Sequence, residues 1–343
     1  MTLKEEIFEQ PASLQRLLDR QASHIDDIAS QIKTCAIRSI FLAARGTSDH
    51  AGLYAKYLWG MHNQLPVALA APSMFSIYHK PPALQDSLVV AISQSGASPD
   101  IVSVVKEGKR QGALTLAITN EAGSPLAMTS DMVIDVCAGP EFAVAATKTY
   151  TAELMAIVML SQALAGEDMP ILEQIPAWVQ NVLRLDPTIQ RIAERYRYMH
   201  QCVVIGRGYN YATAYEWALK LKELTYSVAA PYSSADFLHG PIAMVGQGFP
   251  VLAVAPGGKV FPDLLTLMER LKLEYQVELL VVSDQDMALE LADSALKLPE
   301  GVPEWLSPIV SIVPAQLFSY YLTRAKGFDT EAPRTLKKVT KTT

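Results

Sequence analysis

The chain has 343 residues, half of them apolar, and a formal net charge of −6. This length allows two domains of ordinary size, each with its own core, and the acidic balance with scattered lysines and arginines argues against nucleic acid as a partner. No apolar run reaches the length of a membrane span and no hydrophobic signal core opens the sequence, so we expect a cytoplasmic protein that does not enter a membrane.

The first predicted element is a polar helix at about 14–33. Apolar runs at 40–44 and 88–92 follow, and each leads into a polar loop that contains glycine. Runs at 202–205 and 251–254 repeat them at an offset of about 162 residues, and further pairs of segments follow at nearly the same offset. The chain is therefore predicted to be a tandem duplication.

Within each copy, short runs that are apolar throughout alternate with amphipathic segments of helical period, such as 51–61 and 101–110. This alternation is typical of parallel strands that helices cover on both faces. The predicted fold class is α/β, with two tandem doubly wound parallel sheets related by internal duplication. Ligands of such sheets bind beyond the carboxyl ends of the strands, so we expect a site in the loops that follow them.

The predicted organisation has five segments. They are an N-terminal helical segment (1–34), a first domain (35–165), a helical connector (166–194), a second domain (195–326) and a C-terminal tail (327–343). The tail is polar and has no apolar periodicity, so its composition alone leaves open whether it is disordered or functional.

The first copy has a dense group of hydrogen-bonding side chains after its run at 88–92. They are Ser93, Gln94, Ser95 and Ser98, with Gly96 among them. Because Ser98 is suited to cap a helix and Pro99 to begin one, free backbone N–H groups and the helix dipole point at this loop. The pattern favours a site for a dianionic phosphate. An ordinary capped turn is the alternative, and it explains Ser98 but not the donors before it. Thr47 and Ser48, on the equivalent loop one strand earlier, are candidates for the same ligand.

The second copy lacks these hydroxyls, because 255–258 reads Ala-Pro-Gly-Gly. A predicted helix at about 213–226 instead places Glu216, Lys220 and Glu223 on one face. Taken alone, these residues favour a solvated, salt-bridged stripe. His239 lies in a loop before a Gly-Pro turn, where a lone histidine is more often inert than catalytic.

No cofactor and no metal is expected. Gly206-Arg207-Gly208 begins like a dinucleotide fingerprint, but Tyr211 stands where its third glycine would be, and no paired-histidine metal motif is present. Cys35, Cys137 and Cys202 are odd in number and lack the paired spacing of a zinc site. We predict that they are buried thiols in a reducing cytoplasm.

Six blocks of the chain resemble the isomerase half of glutamine:fructose-6-phosphate amidotransferase, in that family's order. The blocks are Gly46-Thr47-Ser48, Ser93-Gln94-Ser95-Gly96, 144–148, 218–223, His239-Gly240-Pro241 and 333–338. The resemblance extends from about 37 to 340, and the chain is identified as a member of the double sugar-isomerase (SIS) domain proteins.

The resemblance implies a role for each matching residue. The substrate-binding residues would be Gly46, Thr47, Ser48, Ser93, Gln94, Ser95 and Ser98, together with the backbone of Val144 and Ala145. Glu223 would move a proton between C1 and C2 of the sugar, and Lys220 is counted with the catalytic residues. His239 would open the sugar ring. Lys338 would meet the carbonyl carbon as in Schiff-base chemistry, although the adjacent Lys337 leaves this assignment open by one residue.

The chain also departs from the full-length family members. No cysteine precedes Cys35, whereas those members carry a glutaminase domain with a cysteine at the mature terminus, so we expect no ammonia production from glutamine. Ala97 stands where they have a glutamate. The ending at 338–340 is one residue shorter and looks like that of stand-alone double-SIS proteins, several of which are glucosamine-6-phosphate deaminases.

The implied reaction converts glucosamine 6-phosphate and water into fructose 6-phosphate and ammonia, and it could run backward at high ammonia. One alternative keeps the scaffold and changes the substrate to another amine-linked hexose phosphate, as in deglycases. Another is a sugar-phosphate sensor that binds without catalysis. The expected partners are a phosphorylated amino sugar and a second copy of the chain, in a homodimer with shared active sites.

Overall fold

The computed structural model describes residues 1–167 and 170–338, so residues 339–343 of the predicted tail lie outside the described residues. The chain divides into two compact units. The first unit contains Met1, residues 9–176 and the tail lysines Lys337 and Lys338. The second unit contains residues 2–8 and 177–336.

The helices alternate with the strands along most of the chain. They are α1 (Leu3–Phe8), α2 (Gln10–Lys33), α3 (Thr47–His62), α4 (Ser73–Ser76), α5 (Pro99–Arg110), α6 (Pro125–Thr129), α7 (Lys148–Ala165), α8 (Ile175–Leu183), α9 (Asp186–Arg195), α10 (Tyr211–Lys220), α11 (Ser234–Leu238), α12 (Phe261–Leu273), α13 (Asp286–Glu290) and α14 (Ser307–Ala325). A π-helical turn, Leu221–Thr225, continues α10.

The first unit is built on a parallel sheet. Its strands are β1 (Ser39–Ala43), β2 (Val67–Leu69), β3 (Ser87–Ile92), β4 (Thr115–Thr119) and β5 (Met132–Asp135), in the spatial order β2-β1-β3-β4-β5. Every residue of β3 and β4 is buried, because helices cover both faces of the sheet. The strand order reverses between β1 and β3, which opens a crevice beyond their carboxyl ends.

The second unit repeats this sheet strand by strand. Its strands are β6 (Gln201–Gly206), β7 (Val228–Ser233), β8 (Pro250–Val254), β9 (Glu278–Ser283) and β10 (Ser294–Lys297), and their order is β7-β6-β8-β9-β10. All its strand pairs are parallel, as in the first unit. The prediction of an α/β fold with two tandem doubly wound sheets related by duplication is confirmed.

The helix predicted as polar, α2, is amphipathic. It begins at Gln10, with a proline in its first turn, and it buries Leu14, Leu17, Ile25 and Ile28 against the apolar helix α7. Burial of one apolar stripe therefore fixes this helix to the first unit. None of the described helices combines the length and hydrophobicity that a membrane crossing requires.

The prediction that all three cysteines are buried is wrong for two of them. Cys35 is exposed because it follows the end of α2, before β1 begins. Cys137 is half-buried in the loop after β5, at a positive φ of 53°. Only Cys202, inside β6, is buried. Apolar neighbours correctly predicted the buried strands. They did not predict the exposure of residues just beyond the strand ends.

Candidate active site

The donor-rich loop of the first unit lies between β3 and α5, beside the crevice. Ser93 is buried, while Gln94 and Ser95 are half-buried. The hydroxyl oxygens of Ser93 and Ser95 accept the backbone N–H groups of Gly96 and Ala97, at 3.2 and 3.4 Å. Among the described residues, no acceptor holds the hydroxyl protons of these two serines. Both hydroxyls can therefore donate to an anion.

Ser98 occupies the N-cap position of α5 but does not cap the helix. Its backbone is extended, with φ −72° and ψ 115°, and its side chain accepts no backbone N–H group. Oδ1 of Asp100 instead accepts the N–H group of Ile101, at 2.9 Å, and Pro99 has no N–H group, so the side chain of Asp100 takes the place of an N-cap. The capped-turn alternative assigns Ser98 a role that its side chain does not play, so the case for an anion rests on the hydroxyls of Ser93 and Ser95.

Gly96 lets this loop approach the segment that follows β4. It has φ +57°, and a Cβ atom there would lie 2.0 Å from Oγ of Ser124. The Gly96 carbonyl also accepts the N–H group of Leu126, at 3.0 Å. A left-handed backbone and a close neighbour both require glycine at this position.

We expect Gly96→Ala to destabilise the protein more than Gly112→Ala does. Gly112 also has a positive φ, of +83°, but a Cβ atom there would meet nothing within 4 Å. The control should therefore show only the backbone strain, about 1 kcal/mol, whereas Gly96→Ala adds the clash with Ser124. Urea unfolding of both variants measures the difference. Equal losses would mean that the loop relaxes freely away from Ser124.

The loop after β1 faces the same crevice. Gly46 takes φ +55° and ψ −127°, a conformation that favours glycine, and Thr47 begins α3. Ser48, one residue into the helix, is buried and donates from Oγ to Oε1 of Glu153 on α7, at 2.8 Å. Its proton is thus engaged inside the unit, which leaves Ser48 its oxygen as an acceptor.

An ion pair that the sequence did not suggest joins these two loops. Nε of Arg45 lies 2.9 Å from Oδ2 of the buried Asp100, at the start of α5. The second unit repeats the pair, because Nη1 of Arg207, after β6, lies 3.2 Å from Oδ2 of Asp263, at the start of α12. Since the second unit has no serine-rich loop, the repetition of the pair indicates a structural role and not a role in phosphate binding.

Glu141 connects the loop before α7 with the tail lysine. Its carboxylate is buried and accepts the N–H groups of Thr147 and Thr149 at 2.9 and 3.2 Å, and the Thr149 hydroxyl at 2.8 Å. Oε2 also lies 2.6 Å from Nζ of Lys338. No pattern in the sequence indicated Glu141, which lies outside the recognised blocks.

Val144 and Ala145 lie within the loop that Glu141 closes. Val144 is half-buried and Ala145 is buried. Lys337, the other candidate for the tail lysine, is exposed, and within the described part of the chain its amine makes no ion pair. The geometry of the first unit therefore favours Lys338 over Lys337 as the functional tail lysine.

In the second unit, Lys220 joins two carboxylates. Its Nζ lies 3.2 Å from Oε1 of Glu216 and 2.7 Å from Oε2 of Glu223. Lys220 and Glu216 are buried, whereas 23% of the Glu223 side chain is exposed. The stripe is salt-bridged as the residues suggested, but it is not solvated.

The two carboxylates of this cluster stabilise the charged form of Lys220. Burial alone would lower the pKa of Lys220, but Coulombic attraction to Glu216 and Glu223 and the hydrogen bonds to both outweigh burial and raise the pKa of the lysine. The lysine therefore stays charged. Glu216 balances this charge from a buried position, whereas Glu223 is partly exposed.

The helix that carries Glu216 and Lys220 ends earlier than the sequence predicted. The sequence predicted one helix at 213–226, but α10 ends at Lys220 and a π-helical turn carries Glu223. Thr225 closes the turn by donating to the Leu221 carbonyl, at 2.7 Å, and Tyr226 follows in the left-handed region at φ +55°. Single π-helical turns are frequently found at functional sites.

His239 is not joined to this cluster. It follows α11 and is exposed, and within the described residues its ring makes no hydrogen bond. Gly240, at φ +133°, turns the chain after it. The second unit thus presents the imidazole to its surroundings.

The second unit fills its own equivalent of the donor-rich loop with acidic side chains. Glu304 accepts the N–H group of Lys259 at 2.9 Å and that of Val260 at 3.4 Å, just before α12. Asp284 accepts the N–H group of Gly257 at 2.7 Å. A Cβ atom at Gly258 would lie 2.2 Å from Cδ of Glu304, so glycine is needed for the carboxylate to enter.

Comparison with known proteins agrees with the duplicated fold. The SIS domain family matches residues 35–163 and 196–325. A curated relative, the isomerizing glutamine–fructose-6-phosphate aminotransferase of Thermococcus kodakarensis, is 35% identical over 97% of this chain. The chain spans 56% of that relative's length.

Two solved structures have the same fold over 96% of the chain. One is the C-terminal domain of glucosamine-fructose-6-phosphate aminotransferase from Francisella tularensis, with a TM-score of 0.87, 28% identity and 98% of its own length covered. The other is a candidate phosphosugar isomerase from Silicibacter pomeroyi, with a TM-score of 0.86, 34% identity and all of its length covered. From the paired domain matches and the strand order shared by the two units, we conclude that this chain belongs to the SIS domain family.

Proposed function

We propose that this chain is a phosphosugar isomerase that works as a deaminase, converting glucosamine 6-phosphate and water into fructose 6-phosphate and ammonia. The observation that carries the proposal is the buried Lys220, held between an internal carboxylate, Glu216, and the accessible carboxylate of Glu223. A charged lysine fixes the Glu223 side chain through one oxygen. Among the described residues no donor holds the other oxygen, Oε1, which is therefore available for proton transfer.

Phosphate binding belongs to the first unit in this proposal. The unused hydroxyl protons of Ser93 and Ser95 suit a dianion. Gln94, Ser98, Thr47, Ser48 and Gly46 complete the set that the family likeness suggests. The backbone of Val144 and Ala145 lines the sugar.

The chemistry needs a base and an amine. In the open-chain sugar, Glu223 takes the proton from C2 and a proton returns to C1, which turns the amino aldose into the imine of the ketose. Lys338 adds to C2 through its neutral amine, and ammonia leaves as the lysine imine forms. Water hydrolyses that imine and frees the lysine. One water is consumed and one ammonia released, and the reduction of C1 balances the oxidation of C2, so no external oxidant or reductant is needed.

Glu141 supports the lysine step. Its carboxylate lies 2.6 Å from the Lys338 amine, so it can take the proton that the ammonium must lose before it attacks. Ring opening falls to His239, whose exposure suits an imidazole that acts across a homodimer interface. We place the reaction in the cytoplasm, in line with the sequence.

The test is ammonia release from glucosamine, galactosamine and mannosamine 6-phosphates by purified protein, with the Glu223→Gln variant as the background. Release from the glucosamine compound that the variant loses supports the proposal. Release from another compound moves the activity to that substrate. Saturable binding of the sugar phosphates without any release would make the protein a sensor.

We expect the double variant Ser93→Ala, Ser95→Ala to raise KM for the phosphorylated sugar by about 10²-fold or more while kcat changes much less. Each lost hydrogen bond to a charged group costs about 1.5–3 kcal/mol, and the loss affects ground state and transition state alike. Steady-state kinetics measure both constants. Ser130→Ala is the control, since that hydroxyl donates to the Leu126 carbonyl instead. An unchanged KM in the double variant would show that the phosphate does not bind in this loop.

A further inference from the structure

The tail of the second unit is docked through one arginine. The guanidinium of Arg334 stacks on two aromatic rings, 4.4 Å from the ring centre of Tyr226 and 5.2 Å from that of Phe328. The centres of these two rings lie 4.9 Å apart. The backbone N–H group of Arg334 also donates to the hydroxyl of Tyr226, at 2.8 Å. The side chain and the backbone of Arg334 therefore both contact Tyr226.

Tyr226 is part of the element that carries Glu223. It directly follows the π-helical turn and takes the left-handed conformation there. Thr225 and Ser227, on either side of it, are buried and hydrogen-bonded to each other at 2.9 Å. The tyrosine therefore stands on a fixed backbone, three residues after the proposed base.

Within the second unit, further contacts hold the tail before Arg334. Gly327 turns the chain just after α14, at φ +76°, and the Glu331 carboxylate accepts the N–H group of Leu3 at 3.1 Å. Lys338 follows Arg334 by four residues. Among the described residues of the second unit, Arg334 is thus the last strong attachment before the two tail lysines.

We propose that Arg334 is a positioning residue, whose stack on Tyr226 and Phe328 docks the tail on the segment that carries Glu223 and so orders the approach of Lys338. The catalytic part of this inference rests on the proposed function, whereas the docking does not. Arginine suits the task because its planar guanidinium stacks on rings, which a lysine ammonium cannot do.

Trypsin tests the docking without any assay of activity. Cleavage after Lys337 and Lys338 requires the tail to leave its docked position, and we expect Arg334→Ala and Tyr226→Leu to speed that cleavage about tenfold. Tyr226→Phe keeps the ring and should change it less. The control is Arg324→Ala, which removes another arginine–tyrosine pair of the same unit, with Tyr320 at 5.9 Å on α14. Mass spectrometry follows each cleavage.

Borohydride trapping of the lysine imine with glucosamine 6-phosphate tests the catalytic part. We expect Arg334→Ala to lower trapping at Lys338 and ammonia release by about tenfold, with a smaller loss of hydrogen exchange at C2. Arg334→Lys keeps the positive charge but not the stacking on the two rings. We therefore expect it to restore little of the trapping or of the ammonia release that Arg334→Ala loses.

Unchanged trypsin cleavage in Arg334→Ala would overturn the docking whatever the protein catalyses. Faster cleavage with trapping that stays at the wild-type level would overturn the positioning role and leave the docking in place. Faster cleavage together with a wild-type protein that releases no ammonia would overturn the proposed function alone.

Discussion

Replacing Glu223 with glutamine should lower the rate of deamination by about 10²–10⁴-fold, the usual contribution of a general base. Glutamine keeps the shape of the side chain and can still accept a hydrogen bond from Lys220, but it cannot take a proton from carbon. Lys220 keeps the buried carboxylate of Glu216, 3.2 Å away, so the variant should remain folded. Binding of the sugar phosphate should survive as well.

Solvent deuterium incorporation at C1 and C2, followed by NMR, measures the step directly. Glu216→Gln is the matched control, because Glu216 pairs with the same lysine and is fully buried. A merely structural ion pair would make the two variants alike, with a loss of stability and little loss of exchange. Exchange at the wild-type rate in Glu223→Gln would reduce Glu223 to a salt-bridge partner of Lys220.

Replacing Lys338 with alanine should bring ammonia release close to background, a loss of about 10²-fold or more. The amine that forms the imine is absent, and a free amine in solution cannot match a positioned one. Truncation after Arg334 should have the same effect and leave the protein folded, because Lys338 belongs to no buried core. Ammonia release and circular dichroism measure activity and folding separately.

Lys337→Ala is the control for the tail. Lys337 carries the same charge one residue earlier but is exposed, whereas Lys338 pairs with the buried Glu141 at 2.6 Å. We expect the control to keep nearly full activity. The reverse result, an inactive Lys337 variant and an active Lys338 variant, would exchange the two assignments, and full activity in the truncated protein would remove the tail from the mechanism.

Much of the fold could be predicted from the sequence, because strands buried on both faces leave a strong and local signal. The runs that became β1, β3, β6 and β8 are apolar throughout, and their repetition fixed the duplicated architecture. The position of the donor-rich loop at 93–98 could also be predicted, because its polar side chains lie close together in the sequence, directly after an apolar run.

Features that depend on distant residues could not be predicted in this way. The partner of Arg45 is Asp100, at the start of α5, and nothing in either local sequence selects the other. Helical spacing places Glu216 and Lys220 on one face, but it cannot say whether other elements cover that face. Cys35 shows the same limit, since an apolar neighbourhood does not determine the exposure of a residue just outside a strand.

The acidic side chains before α12 have a consequence for how many sugars one polypeptide can hold. The duplication created two equivalent loops, but in the second the carboxylate of Glu304 already accepts the N–H groups of Lys259 and Val260. A tethered carboxylate is present at a far higher effective concentration than any free anion, and it would repel a phosphate. If the loop at 93–98 binds phosphate as proposed, we therefore expect one phosphorylated ligand per chain and not two, and a phosphate-bearing inhibitor should bind with the same stoichiometry.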